Sequence, residues 1–365
     1  MNTQIAEPAL SVPPRPKKKL VHRSAPDQSQ RIRGMVQALF VALNAWIGFQ
    51  FFLWVRWFEL GGHGWAVSRP AGVEGWLPIA GLMNLKYFAL TGHVSPIHPA
   101  AMFLLIAFLL MSVLLKKAFC SWLCPVGTLS EYLWKLGHRL FGRNLNPPRW
   151  LDLTLRSLKY ILLAFFIGVI GYMSAEALAG FMLTPYGLIA DVKMLDFFRG
   201  LTLTGIIVLG VLAGLSLLIQ NFWCRYLCPY GALMGLVSVL SPAKIRRDTE
   251  ACIDCGKCAK ACPAHLKVDQ LIQIRSVECS ACMACVASCR VENALQFALP
   301  PRKAVTLVER WKGRALRPGT VAAMIAILFF GLVLCARMTG HWRSPIPNSV
   351  YQQLVPNANT VTHPM

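Results

Sequence analysis

The chain is short of charged residues, and of acidic residues above all. Only 15% of its 365 residues are Asp, Glu, Lys or Arg, whereas a soluble globular domain carries about 25%. Since 55% of the residues are hydrophobic, this deficit excludes an ordinary cytosolic protein. Lys and Arg number 37 against 16 Asp and Glu, which gives a net charge of +21. In a soluble protein that excess would indicate a nucleic-acid partner, but here it must first be compared with membrane topology.

The sequence also lacks the common signatures of nucleotide, acyl-transfer and haem sites. It contains no Gly-rich phosphate loop, no nucleophile elbow and no dinucleotide fingerprint. None of its eight histidines forms a facing pair within an apolar run, so a haem is not indicated. Residues 1–34 are polar, Pro-rich and basic, and they are expected to form a disordered cytoplasmic arm rather than a cleavable signal peptide.

Long apolar runs predict about five transmembrane helices, because a helix needs about 20 mostly apolar residues to span a bilayer. The segment Trp76–Leu90 is also apolar enough to lie at the interface or to dip into the membrane. The membrane domain is expected to cover residues 35–241 with four spans, and residues 301–337 are expected to form a linker and the fifth span. The predicted spans are Met35–Val55, Pro99–Leu115, Leu158–Ala179, Leu201–Asn221 and Gly319–Ala336.

The distribution of basic residues predicts the orientation of these spans. Lys and Arg accumulate in loops that stay in the cytoplasm. Segments 1–34, 116–157 and 222–318 carry 7, 7 and 15 of them, whereas the alternate segments carry 3, 2 and 2. The N-terminus is therefore expected in the cytoplasm of a bacterium, the protein in its inner membrane, and the tail 338–365 in the periplasm. Topology then accounts for the basic excess, and no nucleic-acid partner is expected.

Eight of the 13 cysteines form two blocks of the same spacing, C-x2-C-x2-C-x3-C. The second block begins 27 residues after the first, and the spacing is that of bacterial two-cluster ferredoxins. Three thiolates at this spacing wrap one face of an iron–sulfur cube, and the fourth leads to the other cluster. Two [4Fe–4S] clusters are therefore expected. The ligands are predicted to be Cys252, Cys255, Cys258 and Cys289 for cluster 1, and Cys279, Cys282, Cys285 and Cys262 for cluster 2.

The alternative, a zinc site, fits this pattern poorly. Zinc sites use four ligands as two separated pairs, often with histidine. Disulfides are not expected in a cytoplasmic loop. The fold class predicted is thus an α-helical membrane bundle with an inserted cytoplasmic α+β module of the bacterial-ferredoxin type at residues 242–300.

Four further cysteines form a second repeat, C-x3-C-P, whose copies begin 104 residues apart. Each copy directly follows a predicted span at its cytoplasmic end, which indicates that two membrane half-units arose by duplication. Thiols in this arrangement suit a metal ion such as Cu(I), a redox disulfide pair or an electron acceptor. Structural packing where a helix turns at proline is the alternative. The four residues are Cys120, Cys124, Cys224 and Cys228.

The combination of two C-x3-C-P blocks with a following two-cluster module resembles the polyferredoxin-like family of 4Fe-4S membrane proteins. That family includes the NapH-type quinol dehydrogenase component, the methylamine-utilization ferredoxin-type protein and the membrane part of the nitrous-oxide reductase regulator. A related oxidase-assembly protein with cupric reductase activity shares the motifs. The resemblance covers residues 100–300, and it implies electron transfer at the membrane.

The main hypothesis is an electron relay between the quinone pool and a periplasmic or cytoplasmic redox protein, as one component of a larger complex. His98 and Glu176, at the predicted outer ends of spans, are the candidates to accept the proton of a quinol. The alternatives are a copper or other metal reductase, an assembly factor for a respiratory metalloenzyme, and a membrane redox sensor.

Overall fold

The computed structural model describes residues 27–300 and 314–364, and helices dominate this part of the chain. The predicted α-helical class is confirmed. In chain order the helices are α1 (Ser29–Glu59), α2 (Pro78–Thr91), α3 (Pro99–Leu115), α4 (Ala118–Trp122), α5 (Pro125–Phe141), α6 (Arg149–Tyr172), α7 (Ala175–Leu183), α8 (Pro185–Leu188), α9 (Ala190–Arg199), α10 (Leu203–Leu218), α11 (Pro229–Val237), α12 (Lys257–Lys260), α13 (Ala284–Ser288), α14 (Pro318–Met338) and α15 (Asn348–Leu354).

Three helices of the described residues are long and apolar enough to cross a membrane, namely α1, α6 and α14. Helices α9 and α10 pass the same test together, but they are bent by 84° at their junction, as in a broken span or a re-entrant loop. Helix α3 coincides with the predicted second span and is apolar, yet it has only 17 residues. The number of spans, expected to be five, therefore stays a prediction.

Two predicted boundaries differ from the helices that form. The apolar stretch Leu158–Ala179 is not one helix, because α6 ends at Tyr172 and α7 starts after Ser174. The Ser174 hydroxyl accepts a hydrogen bond from the Ala177 amide at 3.1 Å, which caps the new helix. Helix α1 begins at Ser29 rather than at Met35, while residues 1–26 of the predicted basic arm lie outside the described residues.

The segment around Trp76 dips into the bundle. A 3-10 helix, Ala71–Trp76, leads into α2, and the Trp76 indole donates a hydrogen bond at 3.1 Å to Asn44, midway along α1. A Cβ added to Gly81 would lie 2.8 Å from the Ala101 carbonyl oxygen, so α2 packs directly on the first turn of α3. Helix α2 has 14 residues, too few to span a bilayer by itself.

The C-terminal segment folds back onto the end of α1. Tyr351 of α15 is buried with its ring 4.9 Å from that of Trp54, and Val355 and Ala358 are buried in the same apolar cluster. At this end of the bundle, Arg199 also pairs with Glu59 at 2.6 Å. The predicted tail 338–365 is therefore packed against the membrane domain over most of its described length.

The cysteine-rich segment carries the sheet and docks on the opposite end of the bundle. Strands β1 (Lys244–Arg247), β2 (Leu295–Leu299) and β3 (Arg314–Ala315) are antiparallel in that order, with Ile245 opposite Phe297. The Trp122 indole donates to the Ala281 carbonyl at 3.1 Å, and Ser121 donates to the Ser280 carbonyl at 2.6 Å. These bonds fix the second cysteine block against α4.

Candidate metal centres and the adjoining cavity

The two cysteine blocks repeat a strained backbone conformation as well as a spacing. On either side of the middle cysteine the φ angle is positive, at 51° for Asp254 and 67° for Gly256 in the first block. The second block has 52° at Ala281 and 57° at Met283. Such angles are uncommon outside glycine, and they wrap the chain around a concave centre. Both blocks are therefore built to hold the same kind of group.

The fold brings the eight cysteines together in two sets of four, each around its own small cavity. Each set combines the first three cysteines of one block with the last cysteine of the other, because α12 and α13 carry the chain from one cavity to the other. These are the sets that the sequence predicts as ligands. One cavity is lined by Cys252, Cys255, Cys258 and Cys289, and the other by Cys262, Cys279, Cys282 and Cys285.

The donor set fits an iron–sulfur cluster better than a single ion. Within residues 27–300 and 314–364, no three His, Cys, Asp or Glu side chains converge closely enough to ligate one metal ion. Thiols that stand apart around a cavity suit a larger group. Burial raises the pKa of the Cys262 thiol to about 11 and also raises the pKa of Cys279. Loading of a cluster on these thiols would therefore release protons.

The two cavities differ in their exposure. Cys279 and Cys285 are buried beside the bundle, and Gln30 of α1 donates to the Cys282 carbonyl at 2.9 Å. Cys255 is exposed on the side away from the bundle, and beside it Arg247 pairs with Asp254 at 2.9 Å. The first set thus faces solvent, and the second set faces the membrane domain.

A buried ion cluster lies beside the second set. Glu278, the residue before Cys279, pairs with Lys159 of α6 at 2.6 Å and with Lys117 at 3.8 Å. Burial alone would raise the pKa of Glu278, but the two lysine charges lower it below its usual value. The carboxylate is therefore ionised, and it links the second cysteine block to α6.

The C-x3-C-P repeats have a clear local cause. Cys124 and Cys228 cap α5 and α11, and each thiol accepts a hydrogen bond from the backbone amide three residues later, at 3.4 Å from Gly127 and 3.2 Å from Gly231. Proline at the first helical position lacks the amide that would be left unpaired there. A Cβ on Gly127 would come 2.2 Å from the Cys120 carbonyl oxygen, so only glycine fits.

An apolar cavity of about 500 Å³ lies between these repeats and the opposite end of the bundle. All four cysteines of the repeats line one end of it, together with Lys117 and Tyr230. The other end carries Arg69 and Trp342, and aromatic side chains of α1, α3 and α14 line the middle. A volume of this size lies within the usual range of small-molecule sites.

A second, smaller cavity of about 150 Å³ continues from the repeats to the second cysteine set. Cys120 and Cys224 line both cavities, and Cys282 lines the far side of the smaller one. Arg33 borders it as well, and its guanidinium binds both carboxylate oxygens of Glu131, at 2.7 and 2.6 Å. The repeats therefore stand between the large cavity and the second cysteine set.

The two predicted quinol residues are placed very differently. His98 is buried before α3, with Nε2 at 2.9 Å from the Gly187 carbonyl oxygen and Nδ1 at 3.3 Å from a nitrogen of Arg69. Glu176 lies exposed in the first turn of α7. Neither residue lines the large cavity, although Arg69 does.

Sequence reasoning missed the ion network around His98. Arg69 pairs with Glu74 at 2.8 Å and with Asp191 at 2.7 Å, and both carboxylates are fully buried. Glu74 also accepts a hydrogen bond from the Ala101 amide at 3.2 Å, at the start of α3. The available signal was weak, because Glu74 is simply a carboxylate beside an apolar run.

Comparison with known proteins agrees with this geometry. A family model described as a 4Fe-4S binding domain matches residues 97–144 and 201–248, and one described as a 4Fe-4S dicluster domain matches residues 244–290. The putative electron transport protein YccM of Escherichia coli K12 is 51% identical over 331 residues, which cover 91% of each chain. This chain belongs to the family of ferredoxin-type 4Fe-4S membrane proteins. The resemblance inferred from the cysteine motifs is thereby confirmed.

More distant members of the family match the central part of the chain. The ferredoxin-type protein NapH of Escherichia coli K12 is 26% identical over 57% of this chain and 70% of its own. The methylamine utilization ferredoxin-type protein MauN of Methylorubrum extorquens is 30% identical over 50% of this chain and 62% of its own. No solved structure matches. The protein is a ferredoxin-type electron transport protein with 4Fe-4S domains and apolar helices fit for a membrane.

Proposed function

We propose that this protein relays electrons between the quinone pool and redox partners through two [4Fe–4S] clusters. The observation that carries the proposal is an unbroken succession of sites along the bundle. The 500 Å³ cavity meets the C-x3-C-P cysteines, these meet the 150 Å³ cavity, and that cavity meets the second cysteine set. The first cysteine set follows across α12 and α13 and ends at the exposed Cys255.

The cluster ligands in this proposal are the two cysteine sets that line the small cavities. The family model described as a dicluster domain covers every residue of both sets, which supports two clusters. When bound, each cluster would accept and release one electron, and the surrounding protein would set its potential. The module itself orders the two positions, one against the bundle and one at the solvent face.

The large cavity is the proposed quinone site because its lining suits a flat ring with a long apolar tail. Aromatic residues of α1, α3 and α14 form its middle, while its polar groups are few and lie near its ends. Lys117 and Tyr230 lie at the cysteine end, where a quinone ring would be closest to the electron acceptors. Oxidation of one quinol there releases two electrons and two protons.

His98 is the proposed proton acceptor, acting through Arg69. Arg69 lines the cavity, and one of its nitrogens lies 3.3 Å from His98 Nδ1. The buried carboxylates of Glu74 and Asp191 hold Arg69 in place. Glu176 has an exposed position at the same end of the bundle, and its part in proton release remains a prediction.

The orientation proposed follows the distribution of basic residues. The end that carries the start of α1, the C-x3-C-P repeats and the cysteine module also carries the basic loops, so it would face the bacterial cytoplasm. The end with Arg69 and α15 would then face the periplasm. Partners would include membrane lipid and a redox protein on either side of the inner membrane.

A matched pair of variants on α14 tests the quinone site. Val333 lines the large cavity, whereas the adjacent Leu334 is exposed on the outside of the helix. Val333→Trp should fill the cavity and strongly slow the reduction of the clusters by a quinol analogue. Leu334→Trp should leave the rate unchanged. Equal rates in both variants and the parent would contradict a quinone in this cavity.

A further inference from the structure

The C-x3-C-P cysteines raise a question of ligand number. The family model described as a 4Fe-4S binding domain matches twice, once over each half of the membrane domain. Each matched segment contains only two cysteines, Cys120 and Cys124 in one and Cys224 and Cys228 in the other. A [4Fe–4S] cluster held by cysteine needs four thiolates, so neither half supplies enough ligands alone.

The fold supplies the missing pair by bringing the two halves together. All four cysteines line the same end of the large cavity, and all four are free thiols. The bundle therefore gathers one complete set of four from residues that lie 104 positions apart in the sequence. This gathering repeats what the module does with its own two blocks.

The backbone around these thiols is arranged to stabilise thiolates. In both repeats, a helix N-terminus directs an amide at the second cysteine, from Gly127 to Cys124 and from Gly231 to Cys228. Thiolates are favoured at helix N-termini, and N–H···S hydrogen bonds tune the potentials of iron–sulfur clusters. The two halves thus offer equivalent donors to one shared group.

A buried cation without a close partner stands beside the set. Lys117 is only 6% exposed, and it lines both cavities next to Cys120 and Cys224. Its nearest carboxylate, Glu278, is 3.8 Å away and is already bound by Lys159 at 2.6 Å. A buried charge is costly unless it is compensated, and an anionic cluster held by four thiolates would compensate it.

We propose that Cys120, Cys124, Cys224 and Cys228 together bind a third iron–sulfur cluster, with Lys117 as its adjacent cation. The cluster lies between the apolar cavity and the second cysteine set, so an electron would not have to cross the repeats without an intermediate site. The proposal concerns metal binding, and it does not depend on whether a quinone is the donor.

Iron and acid-labile sulfide per chain test this proposal on the full-length protein, purified without oxygen. Three clusters predict about twelve iron atoms per chain, because each contains four, whereas the two ferredoxin-type clusters predict about eight. Replacing all four cysteines by serine should remove about four iron atoms and one electron paramagnetic resonance signal. Cys335→Ser is the matched control, since this exposed cysteine lies in α14 outside both cavities, and it should remove none.

The outcomes are separable even if the fourfold variant fails to fold. The iron content of the parent protein then decides, with about twelve atoms supporting the third cluster and about eight overturning it. Copper bound at these cysteines, with iron near eight, would also overturn it. Lys117→Gln offers a further readout, because loss of the cation should lower the potential of the third signal while Lys117→Arg retains it. Failure of quinol to reduce the clusters would affect only the proposed relay.

Discussion

Glu278 joins the second cysteine block to helix α6 through Lys159, whose ammonium lies 2.6 Å from the carboxylate. The two residues are 119 positions apart, and Lys159 is completely buried. Because Glu278 directly precedes Cys279, the ion pair fixes the position of a predicted cluster ligand relative to the membrane helices. The pair therefore has a structural role that reaches the metal centre.

Glu278→Gln should destabilise the protein by about 3–5 kcal/mol, because Lys159 and Lys117 would remain buried without a carboxylate. Thermal unfolding in detergent and the iron content measure this effect. Glu292→Gln, at an exposed glutamate of the same module, is the control and should change little. The double variant Glu278→Gln, Lys159→Met should recover part of the loss, and additive losses would argue against a direct pair.

Glu131 should make stability depend on pH in the acid range. Burial alone would raise its pKa, but hydrogen bonds and the charges of Arg33 and Lys135 lower the pKa to about 2. A lowered pKa means that the stabilisation is complete above about pH 4.5 and is lost as the pH falls towards 2. Glu131→Gln should therefore cost on the order of 3 kcal/mol at pH 7.

The difference between Glu131→Gln and the parent should shrink when unfolding is measured at pH 3 instead of pH 7. Lys135→Gln is the control, because that lysine is 46% exposed and a surface pair contributes under about 1 kcal/mol. A constant difference at both pH values would show that the carboxylate charge is not the source of the stability.

Gly127 and Gly231 occupy equivalent positions in the two repeats but have different room. A Cβ on Gly127 would meet the Cys120 carbonyl oxygen at 2.2 Å, whereas one on Gly231 has its nearest neighbour, the Cys228 sulfur, at 3.6 Å. Gly127→Ala should cost about 1–3 kcal/mol, because the backbone has to move. Gly231→Ala should be tolerated, and equal melting temperatures of the two variants would contradict the close approach.

The crosswise ligand sets predict a specific pattern of cluster loss. Cys262→Ser, although it lies in the first block, should abolish the signal of the cluster held by the second block. Cys289→Ser should abolish the other signal and leave the first in place. Electron paramagnetic resonance of the reduced variants distinguishes the two, and loss confined to each residue's own block would contradict the exchange of the fourth ligand.

Much of the candidate site could be predicted from the sequence because its residues are close together in the chain. The two cysteine spacings and the C-x3-C-P repeats are local patterns, and covalent geometry places such neighbours around one centre. The long apolar runs likewise predicted helices at α1, α3 and α14, since the hydrophobic requirement of a span is a property of one segment.

Hydrophobicity could not locate every boundary, because a helix start depends on a single polar contact. The cap at Ser174 divides an apolar run into α6 and α7, and the run itself contains no composition change at that point. The buried start of α1 was missed for a similar reason, since the arginine that reads as part of a solvated arm pairs with Glu131.

By itself, the sequence determined the family, the cysteine sets and the helical class, all of which rest on local spacing and composition. Only the tertiary structure decided that Arg69 lies between Glu74 and Asp191, that Lys117 faces the C-x3-C-P cysteines, and that a cavity connects both ends of the bundle. These features join residues far apart in the chain. Such contacts depend on how the helices pack, and no single segment carries that information.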